Sequence, residues 1–264
     1  MSGASFWVAL SASLAAMAFA WLRHRNRTGL RILVWHSISP TVRDRLTMPL
    51  REFARQLDWL QRRGYHIASW SEVLRRHNAA EPLPPRTVVL SFDDGCRSFL
   101  EFALPCLQER SLPSLVLVPV AVTMKGAGGA PGTEAPGMDL EQLRRLPRSV
   151  EVGLHSFTHC DYSRVGREAV RHDIARCAET HAWLGPRFVP VFAYPFGRFP
   201  RREAEFADME GQLRAAGMQM ALRLGYGVNA WPLPDPFRVR RICLHGTDGF
   251  VRFLLKLTIG RIRL

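Results

Sequence analysis

The segment Val88-Val89-Leu90-Ser91-Phe92-Asp93-Asp94-Gly95 is an apolar run that ends on two adjacent carboxylates and a glycine. A continuous apolar run of this length is typical of a strand that is buried on both faces of a parallel sheet. Such a strand carries paired acids at its end only where a positive or proton-bearing group faces them. The segment therefore predicts a buried strand with a functional group at its carboxyl end.

A second apolar run, residues 150–154, ends on His155-Ser156-Phe157-Thr158-His159. Histidines four residues apart in a helical turn share a face and can bind one ion. Taken alone, Asp-Asp-Gly is an ordinary turn, and the two histidines are equally explained as surface or capping residues. Taken together, the two segments offer one carboxylate and two imidazoles for a metal and one carboxylate as a base, which indicates a metal-dependent hydrolase.

Apolar strands and helical patterns alternate from residue 30 onward in this chain of 264 residues, 47% of which are hydrophobic. The alternation predicts an α/β fold, a mostly parallel sheet or barrel covered by helices, with its site at the carboxyl ends of the strands. The paired acids, His155 and residues 194–197 all follow predicted strands, so we expect them on one rim. We divide the chain into an N-terminal segment, residues 1–29, and one catalytic domain, residues 30–264.

An uncharged, mostly apolar stretch covers residues 5–22 and is followed by a basic cluster at residues 23–27. Such a stretch is just long enough to cross a bilayer, and no basic residue precedes it, which counts against an ordinary signal peptide. We therefore expect a single-pass anchor in the cell membrane, with the domain on the cytoplasmic side by the positive-inside rule. A cleavable signal ending near residues 18–20, with a secreted or periplasmic domain, is the alternative.

The formal net charge is +13, from 36 Lys and Arg against 23 Asp and Glu. A balance of this kind suits an anionic neighbour: a membrane surface, an acidic polymer or nucleic acid. The sequence has no helix-turn-helix pattern and no basic strand with interleaved aromatic residues. We therefore expect no nucleic-acid partner, and the oligomeric state stays open.

Three motifs give the chain its resemblance to a known family. They are Ser91-Phe92-Asp93-Asp94-Gly95, Gly153-Leu154-His155-Ser156-Phe157-Thr158-His159 and Ala193-Tyr194-Pro195-Phe196-Gly197. On these residues the chain resembles the polysaccharide deacetylase family, also known as the NodB-homology domain or carbohydrate esterase family 4. The resemblance implies a distorted (β/α) barrel of about seven strands. It also implies metal-dependent removal of N-acetyl or O-acetyl groups from sugars.

The resemblance further implies a role for each matching position. Asp93 is the general base, while Asp94, His155 and His159 bind a divalent metal. Zn²⁺ is the metal implied, with Co²⁺, Ni²⁺, Fe²⁺ or Mn²⁺ as alternatives, and three protein ligands leave a position open for water and the substrate carbonyl. The backbone N–H of Phe196 is implied to stabilise the oxyanion.

The chain departs from the family pattern at two places. The arginine that opens the third motif and orients the base is replaced by Ala193, and we hypothesise that Arg240 or Arg241 takes over its role. The general acid for the leaving amine has no clear match, and His245 and His36 are the two candidates.

The candidate substrate contacts are Tyr194, Pro195 and Arg241. The partner implied is an acetylated polysaccharide or a lipid-linked sugar. The alternative function is a catalytically impaired carbohydrate-binding relative at the membrane. Loss of the third-motif arginine favours this alternative, and the intact carboxylates and histidines of the first two motifs argue against it.

Overall fold

The computed structural model describes Trp7 and residues 28–125 and 136–258. The strands are β1 (Arg31–Trp35), β2 (Ser37–Ser39), β3 (Thr47–Pro49), β4 (His66–Ile67), β5 (Thr87–Phe92), β6 (Ser114–Val118), β7 (Val150–Leu154), β8 (Phe188–Ala193), β9 (Met220–Leu224) and β10 (Val239–Cys243). The α-helices are α1 (Leu50–Arg62), α2 (Trp70–Asn78), α3 (Leu104–Gln108), α4 (Val120–Lys125), α5 (Leu140–Arg144), α6 (Arg167–Thr180), α7 (Glu203–Ala215) and α8 (Phe250–Thr258). A π-helical turn (Phe99–Ala103) precedes α3, and short 3₁₀ turns span His181–Leu184 and Pro195–Gly197.

Seven parallel strands close into a barrel. Their order is β1-β10-β9-β8-β7-β6-β5, and β5 pairs back with β1 along its length. The short strand β4 pairs with the beginning of β5, while β6 pairs with its end. A separate parallel pair is formed by β2 and β3. The predicted distorted barrel of about seven strands in a single domain is therefore confirmed.

The barrel strands are apolar throughout because both of their faces are buried. One set of side chains fills the inside of the barrel and includes Ile32, Val89, Leu117, Val191 and Leu222. The alternate set, with Leu33, Leu90 and Phe192 among its members, packs under the helices.

Helix α2 closes the amino end of the barrel. Its Trp70 and Val73 belong to the same buried cluster as the inner side chains of the strands. The buried carboxylate of Glu151 accepts hydrogen bonds from the backbone N–H groups of Trp70 (2.5 Å) and Ser71 (3.0 Å). A carboxylate is favourable there because the first N–H groups of a helix have no partner within it. Because the amino end is closed, an active site in the barrel can lie only at the opposite rim.

The predicted single-pass membrane localisation is wrong. Among the residues that the structure describes, no helix is long and apolar enough to cross a bilayer. The longest of them, α6, has 14 residues, whereas a span needs about 20 apolar ones. The predicted anchor, residues 5–22, and its basic flank lie outside the described residues apart from Trp7.

Candidate active site

The predicted catalytic and metal-binding residues lie at the carboxyl ends of the barrel strands. His36 follows β1, Asp93 and Asp94 follow β5, His155 and His159 follow β7, Phe196 follows β8, and His245 follows β10. Because the barrel strands are parallel, all of these ends meet on the same rim.

The two carboxylates both reach the rim because the chain turns sharply after β5. Asp94 has φ 68° and Gly95 has φ 59°, both in the left-handed region. A Cβ at Gly95 would lie 3.0 Å from Val118 Cγ1, so close packing also favours glycine there. Asp93 and Asp94 are 3% and 4% exposed. Buried carboxylates of this kind require compensating partners.

Asp93 receives its compensating charge from the last strand of the barrel. Arg241 Nη1 lies 2.5 Å from Asp93 Oδ1, and the arginine is fully buried. Burial opposes the charged form of Asp93, but the Arg241 guanidinium and the nearby His155 and His36 imidazoles hold the pKa of Asp93 below its usual range. Arg241 rather than Arg240 thus occupies the place hypothesised for the arginine that Ala193 replaces. Its contact with Asp93 does not fit the predicted contact with substrate.

Asp94, His155 and His159 form a buried cluster. Asp94 Oδ1 lies 3.2 Å from His159 Nε2 and 3.6 Å from His155 Nε2, and one ligand atom from each residue lies within 4.8 Å of the others. Two donors at about 2.0–2.2 Å from a tetrahedral ion stand roughly 3.3–3.6 Å apart. Within the described part of the chain, Asp94 Oδ1 and His159 Nδ1 are buried without a hydrogen-bond partner. The donor types and spacings therefore fit a divalent cation.

The surroundings of the cluster favour the ionised form of Asp94 and the neutral form of His155. Burial opposes ionisation of Asp94, yet the adjacent imidazoles of His159, His36 and His155 lower the pKa of Asp94 to about 2. Burial lowers the pKa of His155 to about 4. His155 Nδ1 lies 2.8 Å from the Ala193 carbonyl oxygen. In the neutral ring Nδ1 therefore carries the proton, and Nε2 offers its lone pair to a metal.

The loop that carries the histidines is not the helical turn that the spacing suggested. Ser156 and His159 have φ 66° and 62°, and residues 155–159 contain no helix. The His159 backbone N–H donates to Ser156 Oγ at 2.7 Å and fixes the bend. Left-handed backbone at non-glycine residues costs roughly 1–3 kcal/mol each and is concentrated at functional sites. The two imidazoles meet through this bend instead of through helical periodicity.

Asp173 on α6 supports that loop, although it belongs to none of the three motifs. Its buried carboxylate accepts hydrogen bonds from the backbone N–H groups of Phe157 (2.8 Å) and Thr158 (2.9 Å). The hydroxyls of Thr158 (2.5 Å) and Tyr162 (2.7 Å) donate to it as well. One feature of the sequence could have identified Asp173: it is an acid on the face of α6 that is otherwise apolar. The apolar residues of that face are Val170, Ile174 and Cys177.

In the third motif, the side chain of Phe196 lies at the rim, whereas those of Tyr194 and Pro195 are buried. Phe196 has φ 58°, is 48% exposed, and its ring centroid lies 4.9 Å from that of His159. Tyr194 is instead buried, and its hydroxyl donates to the Phe237 carbonyl oxygen at 3.0 Å. Pro195 is buried too. The predicted substrate contacts through Tyr194 and Pro195 therefore do not fit these placements, whereas Phe196 borders the cluster of Asp94, His155 and His159.

The two candidate general acids lie in different surroundings. His36 is close enough for its charge to lower the pKa of both Asp93 and Asp94. His245 is half-buried, and burial together with the charge of Lys256 lowers its pKa. The His245 backbone N–H donates to Asp248 Oδ2 (2.8 Å), which also accepts from Lys256 Nζ (2.5 Å).

Comparison with known proteins places this barrel among the carbohydrate deacetylases. The sequence model of the polysaccharide deacetylase family matches residues 80–213. A stretch of 89 residues is 34% identical to the poly-beta-1,6-N-acetyl-D-glucosamine N-deacetylase of Escherichia coli (strain K12), covering 33% of this chain and 13% of that protein. The Streptococcus pyogenes deacetylase PplD, solved with acetate, superposes with TM-score 0.71 at 19% identity, over 88% of this chain and 99% of its own. IcaB from Ammonifex degensii superposes with TM-score 0.71 at 24% identity, over 88% and 97%.

The chain belongs to the polysaccharide deacetylase family, because the family match spans half of it. The resemblance inferred from the three motifs is therefore confirmed, and with it the predicted enzyme class at the level of the family. The two solved structures are too distant in sequence to show more than a shared fold. The chain matches only 13% of the length of its Escherichia coli relative.

Proposed function

We propose that this protein is a metal-dependent hydrolase that removes N-acetyl groups from a polysaccharide built of N-acetylated amino sugars. The observation that carries the proposal is the pairing of a three-donor cluster (Asp94, His155 and His159) with a separate carboxylate, Asp93, held by Arg241. The Escherichia coli relative named for N-deacetylation of poly-beta-1,6-N-acetyl-D-glucosamine supports this substrate class. A non-catalytic carbohydrate-binding role has no comparable support, because the donor cluster and the base are both intact.

Asp94, His155 and His159 would hold the ion. When bound, a divalent ion supplies positive charge that polarises the acetyl carbonyl and makes a water molecule more acidic. Two imidazole nitrogens and one carboxylate oxygen suit Zn²⁺, which we propose, and the same set also suits Fe²⁺. Co²⁺, Ni²⁺ and Mn²⁺ are further ions to compare.

In the proposed reaction, Asp93 accepts a proton from the attacking water, whose oxygen bonds to the acetyl carbon. Arg241 keeps Asp93 ionised until that moment. The backbone N–H of Phe196 stabilises the negative charge that develops on the carbonyl oxygen. The carbon–nitrogen bond then breaks, acetate leaves, and the sugar amine receives a proton from a rim histidine, for which we propose His36. The exposed Phe196 ring offers an apolar face to the sugar.

The proposal is tested by acetate release from N-acetylglucosamine oligomers. The full chain is stripped of metal and reloaded separately with Zn²⁺, Co²⁺, Ni²⁺, Fe²⁺ or Mn²⁺. We expect metal-dependent acetate release that Asp93→Asn and His155→Ala abolish and that Arg171→Gln, an exposed change on α6, leaves intact. Acetate release that is equal with and without metal would refute the metal dependence. No release with any of the five ions would refute the proposed substrate class.

A further inference from the structure

A second polar cavity lies on the outer wall of the barrel, between β9 and β10. It has a volume of about 310 Å³, and Arg223, Arg238, Arg240 and Asp235 are among the residues that line it. Residues 225–238, which connect the two strands, contain no helix and supply most of the residues that line the cavity. Arg223 and Arg240 are register partners on the two strands, which sets their side chains next to each other. We call this space the arginine cavity.

The charges in the arginine cavity do not balance. Its lining has three arginines against one aspartate. Arg238 forms ion pairs with Glu203 and with Asp235, the latter at 3.6 Å. Across residues 28–125 and 136–258, no carboxylate lies within ion-pair distance of Arg223 or Arg240. Burial and the charges of Arg240 and Arg238 lower the pKa of Arg223, so a bound anion would relieve an existing repulsion.

The backbone of Arg240 and the side chain of Arg223 are held in place by hydrogen bonds. The Arg240 backbone N–H donates to Asn229 Oδ1, and Asn229 Nδ2 donates to the Arg240 carbonyl oxygen, each at 2.8 Å. A Cβ at Gly225 would lie 2.7 Å from Arg240 Cγ, so the glycine makes room for the arginine stem. Arg223 Nε donates to the Leu224 carbonyl oxygen at 3.2 Å, and its guanidinium lies 5.4 Å from the Phe199 ring centroid. The Arg223 guanidinium therefore loses little freedom when it binds a ligand, while the exposed Arg240 side chain extends from a fixed backbone position.

We propose that the arginine cavity is a binding site for a phosphate-type oxyanion, supplied either as free phosphate or as a phosphate ester of a sugar. Guanidinium groups present paired N–H donors that match the oxygens of such an anion. The site is separate from the catalytic centre, because Arg240 is on the outer wall while the next residue, Arg241, points into the barrel and pairs with Asp93. The inference therefore stands independently of the proposed deacetylase activity.

The test is calorimetric titration of the full chain with inorganic phosphate, glucose 6-phosphate and, as a neutral control, glucose. We expect one phosphate per chain, no heat with glucose, and affinity weakened by about tenfold or more in Arg223→Gln and Arg240→Gln. Arg148→Gln is the matched control, because this exposed arginine lies away from the cavity and its loss changes the net charge equally. Tighter binding of glucose 6-phosphate would indicate a phosphorylated sugar as the ligand, and equal binding would indicate the free anion.

Three results would overturn the inference. One is the absence of any binding heat. Another is equal weakening in Arg148→Gln and the cavity variants, which would mean that phosphate responds only to net charge. The third is binding that is lost in His159→Gln but retained in Arg240→Gln, which would place the anion at the candidate metal centre.

Discussion

Arg241 and Asp93 form a 2.5 Å ion pair inside the barrel although their strands, β10 and β5, are separated by β1. The contact is possible because both side chains point inward from strands that curve around the same interior. The pair links the last strand of the barrel to the first catalytic motif. It thereby supplies the positive charge that the third motif lacks at Ala193.

Replacement of Arg241 by Met should shift the pH dependence of activity. Arg241 lowers the pKa of Asp93, whereas burial raises it. Without Arg241 the effect of burial is offset less, and the pKa of Asp93 rises. The base is then protonated at a higher pH, and the acid limb of the kcat/KM profile should move upward by about one pH unit or more. Profiles for wild type, Arg241→Met and the surface control Arg148→Met measure the shift. An unmoved acid limb in Arg241→Met would show that the ion pair does not set the ionisation of the base.

Replacement of Asp173 by Asn should weaken metal binding. One amide oxygen and one NH₂ group cannot accept the four hydrogen bonds that position the His159 loop. We expect affinity for Zn²⁺ to fall by about 10- to 100-fold, as is usual when a residue supporting metal ligands is lost. Competition with a chromophoric chelator measures the affinity. Tyr162→Phe removes one of the donors and should have a smaller effect, and the exposed Glu168→Gln on the same helix should have none. Wild-type affinity in Asp173→Asn would contradict the assignment.

Replacement of His36 by Gln should impair catalysis more than replacement of His245 by Gln. His36 lies close enough to Asp93 and Asp94 for its charge to lower the pKa of both. Burial and the charge of Lys256 instead lower the pKa of His245 and reduce its protonated fraction near neutral pH. We expect His36→Gln to lower kcat for N-acetylglucosamine oligomers by about 100-fold. An aryl acetate ester, whose leaving group needs no proton, should be hydrolysed with a much smaller loss. A larger loss in His245→Gln, again confined to the amide substrate, would assign the proton donor to His245 instead.

Replacement of Lys256 by Met should destabilise the fold. Lys256 lies on α8 with Phe253 and Leu257 and is almost fully buried, and its ammonium group pairs with the buried Asp248. Asp248 would then be left buried with only the more distant Arg252 (3.6 Å) as an ion-pair partner, which should lower the free energy of unfolding by about 3–5 kcal/mol. Adding Asp248→Asn should recover part of this loss, because it removes the charge and keeps an acceptor for the His245 N–H. Urea unfolding measures both changes. Equal stability of Lys256→Met and the exposed control Arg148→Met would contradict the account.

The barrel could be predicted from sequence because its strands are continuous apolar segments. Strand β7 has the bounds of the apolar run at residues 150–154, and β5 covers the apolar run that precedes Asp93. The helix cap at Asp139 was also predictable, and Asp139 and Gln142 form a full capping box. The pair β2 and β3 was missed because three-residue strands carry no periodic signal. Closure through β1 and β5 is a long-range pairing that no local pattern encodes.

The candidate site was predictable in its residue types and less so in its geometry. The Asp-Asp and His-x-x-x-His motifs identified the cluster, but their spacing suggested a helical turn, while left-handed residues form the actual bend. The sequence alone could not show which of Arg240 and Arg241 pairs with Asp93, because this depends on which side chain points into the barrel. Asp173 was overlooked because its contacts run between a helix and a distant loop.

The central claim is that, of the two adjacent carboxylates, Asp93 is the base and Asp94 is a metal ligand. Metal binding to two matched variants tests this claim most directly. We expect wild type to bind one Zn²⁺ per chain and Asp93→Asn to bind it with similar affinity while releasing no acetate. Asp94→Asn should lose both zinc binding and activity, because Asp94 is the carboxylate nearest to both imidazoles. Loss of zinc in Asp93→Asn together with its retention in Asp94→Asn would contradict the assignment of base and ligand.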